Sequence, residues 1–182
     1  MIITISGTPG SGKSTVGKLL TKKLKYKFMS IGDLRGEIAM KHKLTLDQLN
    51  KIGEKENWTD KEVDDELIRI GKEEDNLVID TRLGFHFIPK SIKISLTVDL
   101  KVGAKRILQG EIRPDEKKFS SVKELVEDMN QRIKSDKFRY KKWYNIDWTE
   151  NENYDLVINT ANLTPQEVVK QILKYIEHKH NL

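Results

Sequence analysis

The sequence predicts an α/β domain with a mostly parallel sheet. Short apolar runs with strand character alternate with longer segments of helical spacing, and a glycine-rich loop joins the first run to the first helical segment. Parallel strands need crossover connections, and helices between strands supply them. The candidate strands are Ile2–Ile5, Lys27–Ser30, Leu77–Asp80, Ile92–Val98 and Asp155–Asn159. Val16, Leu19, Leu20 and Leu24 share one face of the first helical segment; Val168, Val169, Ile172, Leu173 and Ile176 share one face of the last.

Helix starts are marked by hydroxyl residues followed three positions later by Glu or Gln: Thr45 with Gln48, Thr59 with Glu62, Ser121 with Glu124, and Thr164 with Glu167. Pro165 falls in a first turn, where its missing N–H costs nothing. Residues 33–75 and 101–144 read as helical, the second with a polar loop near Gly110 to Ser120. With no linker, repeat or low-complexity segment, the chain reads as one domain. Its core is 1–32, 76–105 and 140–182, with insertions at 33–75 and 106–139.

The 182 residues suffice for one ordinary core, and the 34% of charged residues give a highly charged surface. The absence of cysteine excludes disulfides and thiolate metal sites, and it suits a reducing compartment; a cytoplasmic location is expected. Met1 leads directly into strand-like sequence without a basic segment or long apolar run, so no signal peptide or membrane span is expected. The net charge of +5 is uneven: residues 101–144 carry 13 Lys and Arg against 7 Asp and Glu, and the remainder is nearly neutral. Such a stretch suits anionic phosphates or nucleic acid, or is a solvated helix face.

Gly7-Thr8-Pro9-Gly10-Ser11-Gly12-Lys13-Ser14 fits the phosphate-loop pattern G-x-x-x-x-G-K-[ST] in full, in the required context between strand and helix. Its glycines let the backbone curl so that successive N–H groups meet phosphate oxygens, and the helix start, including Thr15, adds unpaired N–H groups. Lys13 can reach the β- and γ-phosphates of ATP, and Ser14 can ligate Mg²⁺. Asp80 ends an apolar strand, where a carboxylate can hold a water of the Mg²⁺ shell. Arg82 follows at the carboxyl end of that strand, the edge where open α/β sheets bind ligands. Arg132, Asp136 and Arg139, spaced by four and three, share one helix face. They form either a grip on phosphates or a surface ion-pair ladder.

The phosphate loop, Ser30-Ile31-Gly32-Asp33-Leu34, Asp80-Thr81-Arg82-Leu83, the Arg132/Asp136/Arg139 set with Tyr140–Asp147, and Tyr154–Thr160 together resemble the cytidylate kinases, especially the short archaeal type. The match in order and spacing runs along nearly the whole chain. The resemblance implies an adenylate-kinase-like P-loop NTPase fold with a five-stranded parallel sheet, 33–75 as the nucleoside-monophosphate region and 106–139 as the lid. It implies phosphoryl transfer from ATP·Mg²⁺ to CMP or dCMP, within pyrimidine nucleotide metabolism. Lys13, Arg132 and Arg139 would act in catalysis, and Ser30, Asp33, Arg35, Asp80, Arg82 and Asp136 on the acceptor side. Asn159 and Thr160 would lie near the adenine of ATP. A monomer with a small nucleotide as its partner is expected, with no membrane and no stable nucleic-acid partner.

The chain departs from the family pattern at three places. The family carries an arginine three residues after the position of Asp33, but Gly36 stands there and Arg35 comes one residue early, which turns a helical side chain by about 100°. Thr81 stands where glycine or another small residue is expected. The lid is poor in arginine, leaving Arg106 and Arg113 as its candidates for phosphate contact. His178 and His180 do not face the same way on a helix, so no metal site is expected there. Trp143, Tyr144 and Trp148, near Lys141 and Lys142, either stack on single-stranded bases or pack a helix end on the core. The alternatives to a nucleotide kinase are a P-loop kinase of another nucleotide, a small metabolite or an RNA end, and a non-enzymatic nucleotide- or RNA-binding protein.

Overall fold

A computed structural model describes residues 1–110 and 119–180. Its centre is a five-stranded sheet in the order β2-β3-β1-β4-β5, every neighbouring pair parallel. In chain order the elements are β1 (Ile2–Gly7), α1 (Lys13–Leu24), β2 (Lys27–Ser30), α2 (Ile31–Lys41), α3 (Leu46–Gly53), α4 (Trp58–Glu73), β3 (Leu77–Asp80), α5 (Gly84–Phe87), β4 (Ile92–Thr97), α6 (Leu100–Gln109), α7 (Val122–Tyr144), β5 (Leu156–Asn159) and α8 (Pro165–His180). β1 is buried along its whole length, as a central strand covered on both faces must be.

Alternate residues of the strands feed two cores on opposite faces of the sheet. Ile3, Ile5 and Val78 join Val16 and Leu20 of α1 and Val168 and Ile172 of α8. Ile2, Leu77 and Ile79 join Ile38 of α2 and Val63, Leu67 and Ile70 of α4. The chain passes from β1 to the far edge and returns, so that β3 and β4 flank β1. The crevice beyond the carboxyl ends of these three strands is the ligand edge of such a sheet.

The capping boxes at Thr45 and Thr164 form reciprocally. Ser121 accepts from the Glu124 N–H, while the Glu124 carboxylate takes the N–H and hydroxyl of Ser120. The box expected at Thr59 does not form. α4 begins two residues earlier than a Thr59 cap would set it, after Asn57, and the Thr59 side chain is fully buried, turned toward Asp60. Among the described residues no helix is long and apolar enough to cross a membrane.

Candidate active site

One cavity of about 660 Å³ opens above the carboxyl ends of β1 and β3, between α1, α2, α4 and α7. The glycine-rich loop forms one wall. The Thr8 N–H donates to the Leu96 carbonyl at 3.1 Å, anchoring the loop to β4, and the Val16 N–H closes the first helical bond on Gly12 at 2.8 Å. Gly10 has φ +73°, and a Cβ there would lie 2.4 Å from the backbone of Gly103 in α6. At Gly12 the backbone alone forbids a side chain: φ is +90°, while a Cβ would meet no atom within 4 Å. The loop is thus a cradle of backbone donors left open on its inner side, which fits phosphate.

Lys13 lies beside this cradle and donates from Nζ to the Thr8 carbonyl at 3.0 Å. The Ser14 hydroxyl donates to Asp80 Oδ2 at 2.7 Å. A hydroxyl and a carboxylate meeting beside a phosphate cradle fit magnesium, which binds few protein oxygens and keeps water and phosphate ligands. Among the described residues no group of three or more His, Cys, Asp or Glu could hold a metal alone, so Ser14, Asp80 and a nucleotide together would be its ligands.

The opposite wall is a chain of alternating charge. Arg82 donates through Nη1 to the Gly7 carbonyl, and its Nε lies 3.4 Å from Asp136 Oδ2. The other Asp136 oxygen accepts from Arg139, which also donates to Asp60. Asp60 accepts in turn from Arg35 Nη1 at 2.8 Å, and Arg35 Nε donates to Asn50 at 3.1 Å. Three guanidinium groups therefore share two carboxylates, leaving positive charge toward the cavity. Burial would raise the Asp136 carboxyl, but Arg139 and Arg82 outweigh it and hold the group below its ordinary value. Arg35 Nη2 is buried with no hydrogen-bond partner among the described residues. Arg35 lines the cavity, and a guanidinium with an unpaired donor beside a cavity suits an anion.

Arg35 therefore faces the site despite standing one residue early. α2 starts at Ile31, directly after the cap residue Ser30, whose hydroxyl accepts from the Asp33 N–H. Arg132 lines the cavity from α7 but is exposed. Asp33, expected on the acceptor side, is exposed on the first turn of α2 beside Gly32, which lines the cavity. Arg106, expected as a lid contact to phosphate, lies on α6. Its guanidinium donates to the Thr160 hydroxyl and to the carbonyls of Thr160 and Ala161 at 2.7 to 3.1 Å. It thereby ties α6 to the loop after β5. Arg113 lies outside the described residues. Thr160 also donates to the Ser11 carbonyl at 3.0 Å, and Asn159 Oδ1 accepts from the Ala161 N–H, so this loop packs against the phosphate cradle.

Residues 2–162 match the cytidylate kinase-like family. The chain belongs to that family. It is 38% identical over 178 residues to a cytidylate kinase of Sulfurisphaera tokodaii, covering 97% of this chain and 95% of the relative. It is 36% identical to a cytidylate kinase of Haloarcula marismortui, covering 97% of this chain and 90% of the relative. A shikimate kinase of Bacteroides thetaiotaomicron superposes with a TM-score of 0.68 at 18% identity, covering 97% of this chain and 98% of that one, a likeness of fold.

Sequence reasoning missed Asp60, Asp64 and Asn50, which line the cavity. The signal was there in α4: Asp60, Val63, Asp64 and Leu67 fall at i, i+3, i+4 and i+7, so two carboxylates sit inside an apolar stripe. The aromatic residues near Lys141 and Lys142 are engaged inside the fold. Trp143 donates to the Gly53 carbonyl, Tyr144 donates to Asp64, and Trp148 is buried beneath the Arg82 guanidinium, 4.4 Å from its ring centre. None is presented as a stacking platform for RNA.

Proposed function

We propose that this member of the cytidylate kinase-like family transfers the γ-phosphoryl group of ATP to CMP or dCMP, giving ADP and CDP or dCDP. One observation carries the reading. A phosphate cradle and an arginine-rich wall with an orphaned donor face each other across one cavity, as a reaction between two phosphorylated molecules requires. The family relatives that are cytidylate kinases supply the acceptor's identity.

In this reading residues 7–14 and Thr15 hold the phosphates of ATP, with Lys13 on the β- and γ-oxygens. The loop at Asn159 and Thr160 borders its adenine. Ser14 and Asp80 would hold magnesium, which would supply charge neutralisation at those oxygens. Arg82 and Arg35 bind the acceptor phosphate, while Arg139 and Arg132 face the group in transit. An oxygen of the acceptor phosphate forms a bond to the γ-phosphorus, and the bond from that phosphorus to the ADP oxygen breaks. The side chains supply position and charge; no covalent enzyme intermediate is needed. Residues 33–75 act as the acceptor-binding region and 106–139 as the lid that excludes water.

The test is ADP release from ATP and Mg²⁺ with CMP, dCMP, UMP, AMP and GMP added in turn. Stimulation by CMP or dCMP above the others is expected. Stimulation by a different nucleotide alone would move the substrate, and no stimulation by any would remove the assignment.

A further inference from the structure

Arg82 is held from a third side by a residue that the transfer chemistry does not use. Two edges of its guanidinium are engaged, Nη1 with the Gly7 carbonyl and Nε with Asp136 Oδ2 at 3.4 Å, and Nη2 has no protein acceptor among the described residues. Bonds in the plane of a guanidinium fix its edges but leave its tilt free. The Trp148 ring supplies the missing restraint: its centre lies 4.4 Å from Arg82 Cζ, and the residue is only 2% exposed.

Trp148 reaches this position because the chain reverses after α7. Asn145 ends the helix with φ 59°, and the Ile146 N–H donates back to the Tyr140 carbonyl at 3.2 Å. The Tyr154 hydroxyl donates to the Trp148 carbonyl at 2.6 Å, and the side chain packs with Leu83 and Tyr140. Its indole Nε1 is buried with no hydrogen-bond partner among the described residues. An unpaired buried donor costs stability that leucine or phenylalanine in the same place would not incur. What the indole contributes is its face, and tryptophan offers a cation the best face of any side chain.

We propose that Trp148 is a positioning residue for phosphoryl transfer: its buried ring sets the tilt of Arg82, so that the guanidinium meets the acceptor phosphate in a fixed plane. The inference rests on the cytidylate kinase reading, which puts Arg82 on that phosphate. Without the ring, Arg82 keeps its charge but has to be ordered at each binding event, which weakens binding. The loss falls on the acceptor and not on ATP, because Trp148 is not among the residues that line the cavity and acts only through Arg82.

The experiment measures KM and kcat for CMP and for ATP in the wild type, Trp148→Leu and Trp148→Phe. Trp148→Leu should raise KM for CMP about tenfold, the loss of a desolvated cation–π contact, with KM for ATP unchanged. Trp148→Phe keeps a weaker ring face and should raise KM for CMP only about threefold. Equal rises for the two variants would overturn the proposal, since the ring face and not the filled volume is what it invokes. Equal rises in KM for CMP and for ATP would overturn it too. If Trp148→Leu does not fold, tryptophan emission is followed in the wild type and Trp148→Phe as CMP is added without ATP, to concentrations that calorimetry shows to be saturating. A change in the wild type that is lost in Trp148→Phe supports the proposal. The same change in both proteins, or none in the wild type, overturns it. Emission reads binding alone, so a wild type that gives this signal but transfers nothing to CMP keeps Trp148 at Arg82 and removes the kinase reading beneath it.

Discussion

Asp60→Asn removes one negative charge from the centre of the arginine wall while keeping the side chain's shape. Asp60 is 3% exposed and accepts from Arg35 on α2 and Arg139 on α7, themselves 9% and 1% exposed. The substitution leaves three guanidinium groups against Asp136 alone. Removing one partner of a buried ion pair costs about 3–5 kcal/mol, and the retained amide oxygen puts this case near 3 kcal/mol. For a chain of this length each kcal/mol moves Tm by about 2–4 °C, so a fall of about 6–12 °C is expected in a thermal melt. Arg35 also loses the bond that aims it at the acceptor. KM for CMP should rise about tenfold, roughly 1.4 kcal/mol, with little change in KM for ATP, because Asp60 does not touch the phosphate loop. A Tm within about 2 °C of the wild type would refute the charge-chain reasoning. Equal rises in both KM values would refute the assignment of this wall to the acceptor.

Other perturbations follow from the same geometry. Lys13→Ala should abolish transfer without lowering Tm by more than about 2 °C, checked by ADP release and a melt; near-normal turnover would contradict its role. Arg82→Lys keeps the charge but loses both the fork that joins Gly7 to Asp136 and the stack on Trp148. It should raise KM for CMP more than KM for ATP, and equal effects would oppose the assignment. Gly10→Ala would force φ +73° on an alanine and drive its Cβ to 2.4 Å from Gly103, so ATP binding by calorimetry and Tm should both fall. The Asp64 carboxyl rises from 3.8 to about 7 on folding, so the folded state binds its proton more tightly. That carboxyl costs stability progressively as pH climbs between these values, and the cost stays constant above them. Asp64→Asn should gain Tm relative to the wild type from pH 4 to pH 7, and a flat or opposite difference would contradict the buried carboxyl.

Much of the fold could be read from the chain because its signals are local. Four-residue apolar runs and the glycine-lysine loop report their own conformation, and all five candidate strands occur within one or two residues of their expected ends. Arg132, Asp136 and Arg139 were likewise visible as one helix face. Their partner was not, because Asp60 meets Arg139 across 79 residues of sequence, and a carboxylate on a charged helix looks like solvent-facing charge until the helix is packed. The same packing explains the failed cap at Thr59, whose hydroxyl is buried rather than bonded to a helix start. Whether Arg35 could stand in for the arginine displaced by Gly36 depended on where α2 begins. The Ser30 cap sets that start and turns Arg35 toward Asp60. Arg106 reads in the sequence as a basic residue next to the lid, and only the packed chain shows its guanidinium donating to the carbonyls of Thr160 and Ala161.

The central claim is that the two walls of this cavity bring two phosphorylated molecules together for direct transfer. Its most direct test is incubation of γ-phosphate-labelled ATP and Mg²⁺ with CMP and the protein, followed by separation of the products, with Lys13→Ala as the control. The account predicts label in CDP from the wild type and none from the variant. Label released as free phosphate without CDP would contradict it.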